Sequence, residues 1–256
     1  MSQAKAAQPE ETPLTSKVDY QLKYLNTDVD INRVVKILQQ KNSGRFLFYG
    51  VAGSGKSLLG EYIAKELDAE LEMVTASDIS ARYNGESEQN IRQIFDLAEE
   101  LQKVLLIDEI GYFLTDRRNV AHSWETSTTN EFLTRLELFN GIVIGTTNYE
   151  LEGYIDHAFY RRFDLKIKFN YLKYAQAKNL FDETLKQLNV SSLSKESLDS
   201  CYKELSHMVK LTPADFSLAV RKAPYLYDTV TPETLLKMIK DEVGIKPDVE
   251  SRRIGF

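Results

Sequence analysis

The sequence predicts a parallel α/β sheet with flanking helices, followed by a small all-helical domain. Two observations lead to this fold class. Short apolar runs typical of buried strands alternate with helical spacing up to about residue 171, and such alternation favours a parallel sheet. After that point the strand pattern stops and helical spacing continues. We therefore expect a disordered tail over residues 1–18, an α/β domain over 19–171, and a helical domain with a C-terminal tail over 172–256.

The composition is that of an ordinary globular protein. Of 256 residues, 43% are hydrophobic and 27% are charged, and the formal net charge is −6, which argues against a global bias toward nucleic acid or anionic membranes. The single cysteine, Cys201, excludes a disulfide within the chain and lies in an apolar helical pattern typical of a core. No apolar run approaches the ~20 residues that cross a bilayer, and no signal-peptide core follows Met1, so we expect a cytoplasmic protein.

The elements of the α/β domain follow from hydrophobic spacing. Residues 1–18 hold few large apolar side chains and cannot offset their ordering entropy. Helical spacing is found at Val29–Leu38, Leu58–Leu67, Glu86–Leu101 and Phe132–Phe139. Strand runs are found at Phe46–Tyr49, Leu71–Val74, Val104–Ile107, Ile142–Gly145 and Leu165–Phe169, the last with alternating lysines that suit a half-exposed edge strand.

The helical domain is indicated by two apolar faces and two capping patterns. One face runs from Tyr174 to Leu188. The other comprises Leu198, Cys201, Tyr202, Leu205 and Val209. Thr212-Pro213 and Thr231-Pro232 each place a capping hydroxyl before a proline, which predicts two further helix starts.

A glycine-rich loop follows the first strand and opens a helix. Its sequence, Gly50-Val-Ala-Gly-Ser-Gly-Lys-Ser57, fits the pattern G-x-x-x-x-G-K-[ST]. Glycines let backbone N–H groups surround phosphates, and the start of the next helix is electropositive. The loop is therefore predicted to bind ATP, with Lys56 neutralising phosphate charge and Ser57 ligating Mg²⁺. The predicted nucleotide-binding residues are Gly50, Val51, Ala52, Gly53, Ser54, Gly55, Lys56, Ser57, Leu58 and Asp108.

Polar residues follow two other predicted strands. Asp108 and Glu109 come directly after Val104–Ile107, and Asn148 comes shortly after Ile142–Gly145. Ligands of open α/β sheets bind at the carboxyl ends of the strands. We therefore expect Asp108 to hold Mg²⁺ and Glu109 to activate the attacking water as a general base. Asn148 is a candidate for orienting that water, although an asparagine after a strand is also a common turn residue.

Two adjacent arginines, Arg161 and Arg162, precede the predicted edge strand. The guanidinium group recognises phosphate oxygens in pairs, so both are candidates for contacts with the γ-phosphate. The alternative is surface ion pairing with Asp156 or Asp164.

In this order the motifs resemble those of the AAA+ ATPases, and within them the AAA group of protein remodellers. Residues 82–95 resemble the first pore loop and its helix. Asn148 together with residues 156–164 resembles the second region of homology. Leu211–Phe216 resembles the lid motif that contacts nucleotide, and the whole resemblance extends from about Val18 to Pro224.

The resemblance implies a P-loop NTPase fold with a helical lid, assembled as a hexameric ring. Glu109 and Asn148 would act on the ATP of their own subunit, and Arg161 and Arg162 would reach the neighbour's ATP. Tyr83, followed by Asn84, would grip a protein substrate in the central pore. The chain departs from the family at three positions: a proline–glycine pair usually separates the arginines, an apolar residue usually stands at Asn84, and a glycine is common at the position of Pro213. Which arginine acts as the finger therefore stays open.

Two other functions are open at this point. An AAA+ module that acts on nucleic acid, as a helicase loader does, would share the phosphate loop, although the net charge of −6 and the pore-loop motif favour a protein substrate. An assembly switch that binds ATP without hydrolysing it is disfavoured by the intact acid pair Asp108-Glu109.

Overall fold

The computed structural model describes residues 21–79, 86–114, 123–149, 157–190 and 194–246. Its centre is a five-stranded sheet with the strand order β2-β3-β4-β1-β5. The strands are β1 (Gly44–Gly50), β2 (Leu71–Thr75), β3 (Val104–Asp108), β4 (Ile142–Thr147) and β5 (Leu165–Phe169). Neighbouring strands pair in parallel, so their carboxyl ends meet at one edge of the sheet. Each strand coincides with a run predicted from the sequence, and the predicted fold class is confirmed.

Helices cover both faces of this sheet. The helices are α1 (Ile31–Lys41), α2 (Lys56–Glu66), α3 (Ala76–Ile79), α4 (Glu86–Glu100), α5 (Gly111–Leu114), α6 (Ser123–Leu138) and α7 (His157–Tyr160). Alternate residues of β1 point to opposite faces, so Leu47 joins a core with α4 and α6, whereas Phe48 joins a core with α1 and α2. The helices α3, α5 and α7 are single turns, too short to produce a hydrophobic period in the sequence.

Four further helices follow the sheet. They are α8 (Tyr174–Gln187), α9 (Lys195–Leu205), α10 (Pro213–Leu226) and α11 (Pro232–Gly244). Their apolar faces enclose a third core that contains Cys201, which is 2% exposed. Capping boxes start α10 at Thr212 and α11 at Thr231, as the threonine–proline pairs predict. None of the helices in the described ranges is both long and apolar enough to span a membrane.

The prediction that Val209 continues the apolar face of α9 is wrong. The helix ends at Leu205, and Val209 is 75% exposed. Tight turns carry the chain out of the helix, with Met208 N donating to Leu205 O at 3.1 Å. The apolar spacing continues past the helix end by coincidence, because periodicity alone does not show where the backbone leaves the helix.

The segment before α1 touches both the sheet and the helical part. Its backbone lies against β5, with Asp28 N donating to Lys168 O at 3.3 Å and Lys168 N donating to Asp28 Oδ1 at 2.8 Å. Tyr24 is buried in the helical core, and the next residue, Leu25, is buried in the core beneath α1 and α2. This segment therefore covers the edge strand and joins two cores.

Candidate active site

The loop Gly50–Ser57 connects β1 to α2 at the carboxyl edge of the sheet. Gly50 has a φ of 109°, and a Cβ there would lie 2.4 Å from the carbonyl oxygen of Phe169 on β5. Gly53 has a φ of 73°, and a Cβ there would lie 2.7 Å from Cβ of Ala214. Only glycine satisfies both the left-handed backbone and the close approach at these two positions. The loop is therefore shaped by glycine to present main-chain groups to a ligand.

Lys56 lies beneath this loop. Its side chain is almost fully buried, and Nζ donates to the carbonyl oxygens of Gly50 at 3.0 Å and Val51 at 2.8 Å. Burial lowers the pKa of Lys56 to about 8, and the nearby Asp108 carboxylate opposes that shift. A cation is thus held at the centre of the loop, where an anionic phosphate would compensate for its lost hydration.

The loop and β3 meet through Ser57 and Asp108. Ser57 Oγ donates to Asp108 Oδ2 at 3.0 Å, although the two residues are 51 positions apart in the chain. A hydroxyl and a carboxylate oxygen at one point form a donor set that suits Mg²⁺, which prefers oxygen ligands and retains several waters. The residues present therefore fit a magnesium ion. Leu58, also predicted to contact nucleotide, is 46% exposed in the first turn of α2.

Glu109 has an unusual backbone conformation immediately after β3. Its φ is +57°, a left-handed value that is uncommon for residues other than glycine. Its N–H donates to Asp108 Oδ1 at 3.1 Å and lies 3.4 Å from Thr146 Oγ1. The Glu109 side chain is exposed. The two successive carboxylates therefore point in different directions: that of Asp108 is half-buried and faces Ser57, and that of Glu109 faces solvent.

Asn148 follows β4, the neighbour of both β3 and β1 in the sheet. Its side chain is exposed at the same carboxyl edge. The structure therefore brings Asn148, Asp108, Glu109 and the phosphate loop to one edge from three adjacent strands, as the sequence predicts.

Thr146, in β4, has a place in this site that the sequence analysis missed. It is 1% exposed, and its hydroxyl donates a short hydrogen bond to Asp108 Oδ1. The ladder pairs Ile107 with Gly145, so the next residues, Asp108 and Thr146, are neighbours across the sheet, a register that the sequence does not give. A polar residue in a strand that is buried throughout indicates a buried polar partner.

The two arginines lie far from the phosphate loop of their own chain. They follow α7 and precede β5, at the amino edge of the sheet. Asp164 N donates to Arg45 O at 2.8 Å, next to the start of β1. From Arg45 to Gly50 the strand extends about 16 Å. Neither Arg161 nor Arg162 is therefore brought to the site with Asp108 and Lys56.

The two arginines also differ from each other. Arg162 Nε lies 2.7 Å from Glu137 Oε1 on α6, so it forms an ion pair within the chain. Arg161 is exposed and forms no ion pair with any residue in the described ranges. Asp164, a predicted partner of the arginines, instead pairs with Arg45 at 3.0 Å.

The start of α10 contacts the phosphate loop from the helical side. Ala214 N donates to Gly53 O at 3.1 Å. The predicted lid motif Leu211–Phe216 therefore touches the loop directly. Tyr83, Asn84 and Asp156, together with the tail over residues 1–18, lie outside the residues that the structure describes.

The central part of the chain matches the model of a known protein family. Residues 46–171 match the model of the "ATPase family associated with various cellular activities (AAA)". Spastin from Xenopus laevis is 31% identical over 176 residues, which cover 65% of this chain and 27% of that protein. Spastin from Danio rerio is 32% identical over the same share of this chain and 29% of its own length. The chain therefore spans less than a third of these relatives.

Solved structures agree in fold. A crystal structure of the FIGL-1 AAA domain in complex with ADP has a TM-score of 0.61 at 19% identity, covering 83% of this chain and 75% of that one. A second structure of the FIGL-1 AAA domain has a TM-score of 0.64 at 17% identity, covering 87% and 82%.

Proposed function

Since the chain belongs to the AAA family of ATPases, we propose that it hydrolyses MgATP at the loop Gly50–Ser57 and uses the energy to remodel protein substrates. The observation that carries the proposal is the 3.0 Å hydrogen bond from Ser57 Oγ to Asp108 Oδ2. It joins the phosphate loop to the acidic end of β3 in one oxygen site. In this proposal residues 19–171 are the catalytic domain, residues 172–256 are the lid and C-terminal tail, and the protein acts in the cytoplasm.

Nucleotide binding would use backbone and charge together. The N–H groups of the loop and the electropositive start of α2 face the phosphates. Lys56 supplies the positive charge, and Ser57 and Asp108 hold the metal. Bound there, Mg²⁺ would neutralise negative charge on the β- and γ-phosphates.

Hydrolysis would use Glu109, the carboxylate that is not a ligand of the metal. Glu109 is the proposed general base, because its side chain is exposed at the carboxyl edge while its backbone is tied to Asp108. It would accept a proton from the attacking water. Asn148, from the adjacent strand β4, would orient that water by hydrogen bonding.

The arginines are proposed to act on a neighbouring subunit. They lie about one strand length, ~16 Å, from the phosphate loop of their own chain, which is too far for direct contact with its nucleotide. An arginine supplied in trans can raise the rate by about 10³–10⁵. A ring, hexameric by family resemblance, would pair each phosphate loop with the arginines of the next subunit. Tyr83 and Asn84 are the proposed contacts with a polypeptide in its pore.

Mixing two inactive variants tests this arrangement. Glu109→Gln disables the base but keeps the arginines, whereas Arg161→Ala/Arg162→Ala keeps the base but removes the fingers. If the arginines act in trans, mixed rings contain some complete sites, and phosphate release should recover above that of either variant alone. A matched control, Arg33→Ala on the exposed face of α1, should retain full activity. Mixtures that stay inactive while the subunits co-assemble would contradict the trans role.

A dilution series tests assembly separately. Specific ATPase activity of the unmodified protein should rise with protein concentration if each site needs two subunits. Constant specific activity across the concentration range in which sedimentation shows monomers assembling into oligomers would contradict a shared site.

A further inference from the structure

The first turn of α10 is in direct contact with the phosphate loop. Ala214 N donates to Gly53 O at 3.1 Å, and a Cβ added at Gly53 would lie 2.7 Å from Ala214 Cβ and 3.3 Å from Thr212 Oγ1. No space separates the helical part from the loop at this point. A displacement of this turn must therefore displace Gly53.

The buried carboxylate of Asp215 fixes this turn through hydrogen bonds. Asp215 is 2% exposed, and its Oδ2 accepts hydrogen bonds from Thr212 N at 2.7 Å and from Thr212 Oγ1 at 3.0 Å. Isolated buried carboxylates are strongly unfavourable and need a compensating cation. The position of the turn therefore depends on what neutralises Asp215.

Lys246, just beyond the end of α11, supplies that cation. Its Nζ donates to Asp215 Oδ2 at 2.6 Å, to Thr212 Oγ1 at 3.0 Å and to Lys210 O at 2.9 Å. An ammonium group has three donors, and these contacts use all of them. Every acceptor belongs to residues 210–215, which comprise the approach to α10 and its first turn.

The same ammonium also faces the connection between β5 and α8. Nζ lies 5.8 Å from the ring centroid of Tyr171, within the range of a cation–π contact. The adjacent Leu172 N donates to Leu211 O at 2.8 Å. Lys246 is thus in contact with the connection out of the sheet and with the start of α10.

From this geometry we propose that Lys246 is a positioning residue for nucleotide binding. By neutralising Asp215 and bonding Lys210 and Thr212, it holds Ala214 against Gly53, and so sets the shape of the phosphate loop. The inference rests on the proposed function of that loop. Lys246 acts through Asp215 and Ala214 and does not itself contact the phosphates.

The test compares three variants in nucleotide affinity. Lys246→Met removes the charge and keeps the apolar stem, Lys246→Arg restores the charge, and Lys240→Met is the matched control. Lys240 lies on α11, six residues before Lys246, and pairs with Glu204 at an exposed site. The readouts are the Kd of a fluorescent ATP analogue without Mg²⁺, the KM and kcat of hydrolysis, and the melting temperature without nucleotide.

Lys246→Met should raise Kd and KM by about tenfold or more, because the loss of a hydrogen bond between charged groups changes an equilibrium constant by roughly that factor. The kcat at saturating ATP should change much less, because Glu109 and Asp108 lie on other elements. Lys246→Arg should restore most of the affinity, and Lys240→Met should match the unmodified protein. A Kd unchanged in Lys246→Met, whatever the melting temperature, would overturn the proposal.

A double variant provides the test if the single variant does not fold. If Lys246→Met does not fold, Asp215→Asn/Lys246→Met removes both charges and leaves no unpaired carboxylate. It should fold and still bind ATP weakly, and normal affinity would overturn the proposal. Failure of the unmodified protein to bind ATP would instead refute the proposed function, so the two failures are distinguishable.

Discussion

Replacing Thr146 with valine should weaken Mg²⁺ binding and slow ATP turnover. The Thr146 hydroxyl donates to Asp108 Oδ1, the carboxylate oxygen opposite the one that contacts Ser57. It also lies 3.4 Å from Glu109 N, in the turn with positive φ. Valine keeps the branched shape in this buried strand but leaves that oxygen of Asp108 without its side-chain donor. The carboxylate would then be free to rotate away from Ser57.

The size of the effect follows from the bond that is lost. Hydrogen bonds to charged groups stabilise by about 1.5–3 kcal/mol, which corresponds to about 10- to 100-fold in a binding constant. Partners that orient metal ligands typically change metal affinity by a similar ~10- to 100-fold. We therefore expect the Mg²⁺ concentration for half-maximal activity to rise by about 10- to 100-fold, with ATP binding in the absence of Mg²⁺ unchanged.

Two measurements check this, each with two controls. Phosphate release is titrated with Mg²⁺, and binding of a fluorescent ATP analogue is measured with and without Mg²⁺. Thr146→Ser retains the hydroxyl and should behave like the unmodified protein. Thr147→Val changes the neighbouring buried threonine, whose hydroxyl accepts from Tyr149 N at 3.2 Å and is not hydrogen-bonded to Asp108. Normal Mg²⁺ dependence in Thr146→Val would refute the idea that this hydroxyl orients Asp108.

Three further outcomes are expected. Glu109→Gln should bind ATP normally, lose at least ~10²-fold in turnover and accumulate as an ATP-bound oligomer in native mass measurements; rapid turnover would remove Glu109 from the base role. Burial lowers the pKa of Lys56 to about 8, so its ammonium group loses a proton above that pH. ATP affinity should then fall by up to about tenfold per pH unit, and a constant affinity from about pH 7 to 9.5 would contradict this expectation. Gly53→Ala should weaken ATP binding, because its Cβ would lie 2.7 Å from Ala214 Cβ. The control Gly244→Ala, whose Cβ would meet no atom within 4 Å, should leave ATP affinity unchanged. Equal ATP affinities in the two variants would count against the close contact at Gly53.

Much of the fold was predictable because local patterns encode it. Buried parallel strands give short apolar runs, and each of the five appears where its run predicts. The phosphate loop and the acids after β3 were predictable for a related reason, since parallel strands bring their carboxyl ends to one edge. These inferences need only the order of elements, not their detailed packing.

The remaining features depend on contacts between distant parts of the chain. Lys246 meets Asp215 across 31 positions, and no periodicity in the sequence relates them. Arg162 pairs with Glu137 on α6, and this pairing depends on where α6 ends relative to α7. The positive φ of Glu109 has no sequence signal, because it is the surrounding structure that makes it tolerable.

The segment before α1 has a mechanical consequence. Tyr24 is anchored in the core of the four C-terminal helices and Leu25 in the core between the sheet, α1 and α2, and their Cα atoms are only about 3.8 Å apart. The helices therefore cannot separate from the sheet at this point without pulling one of the two side chains out of its core. A truncated protein that begins at Asn26 would lose both anchors at once, and with them the direct link between the two cores.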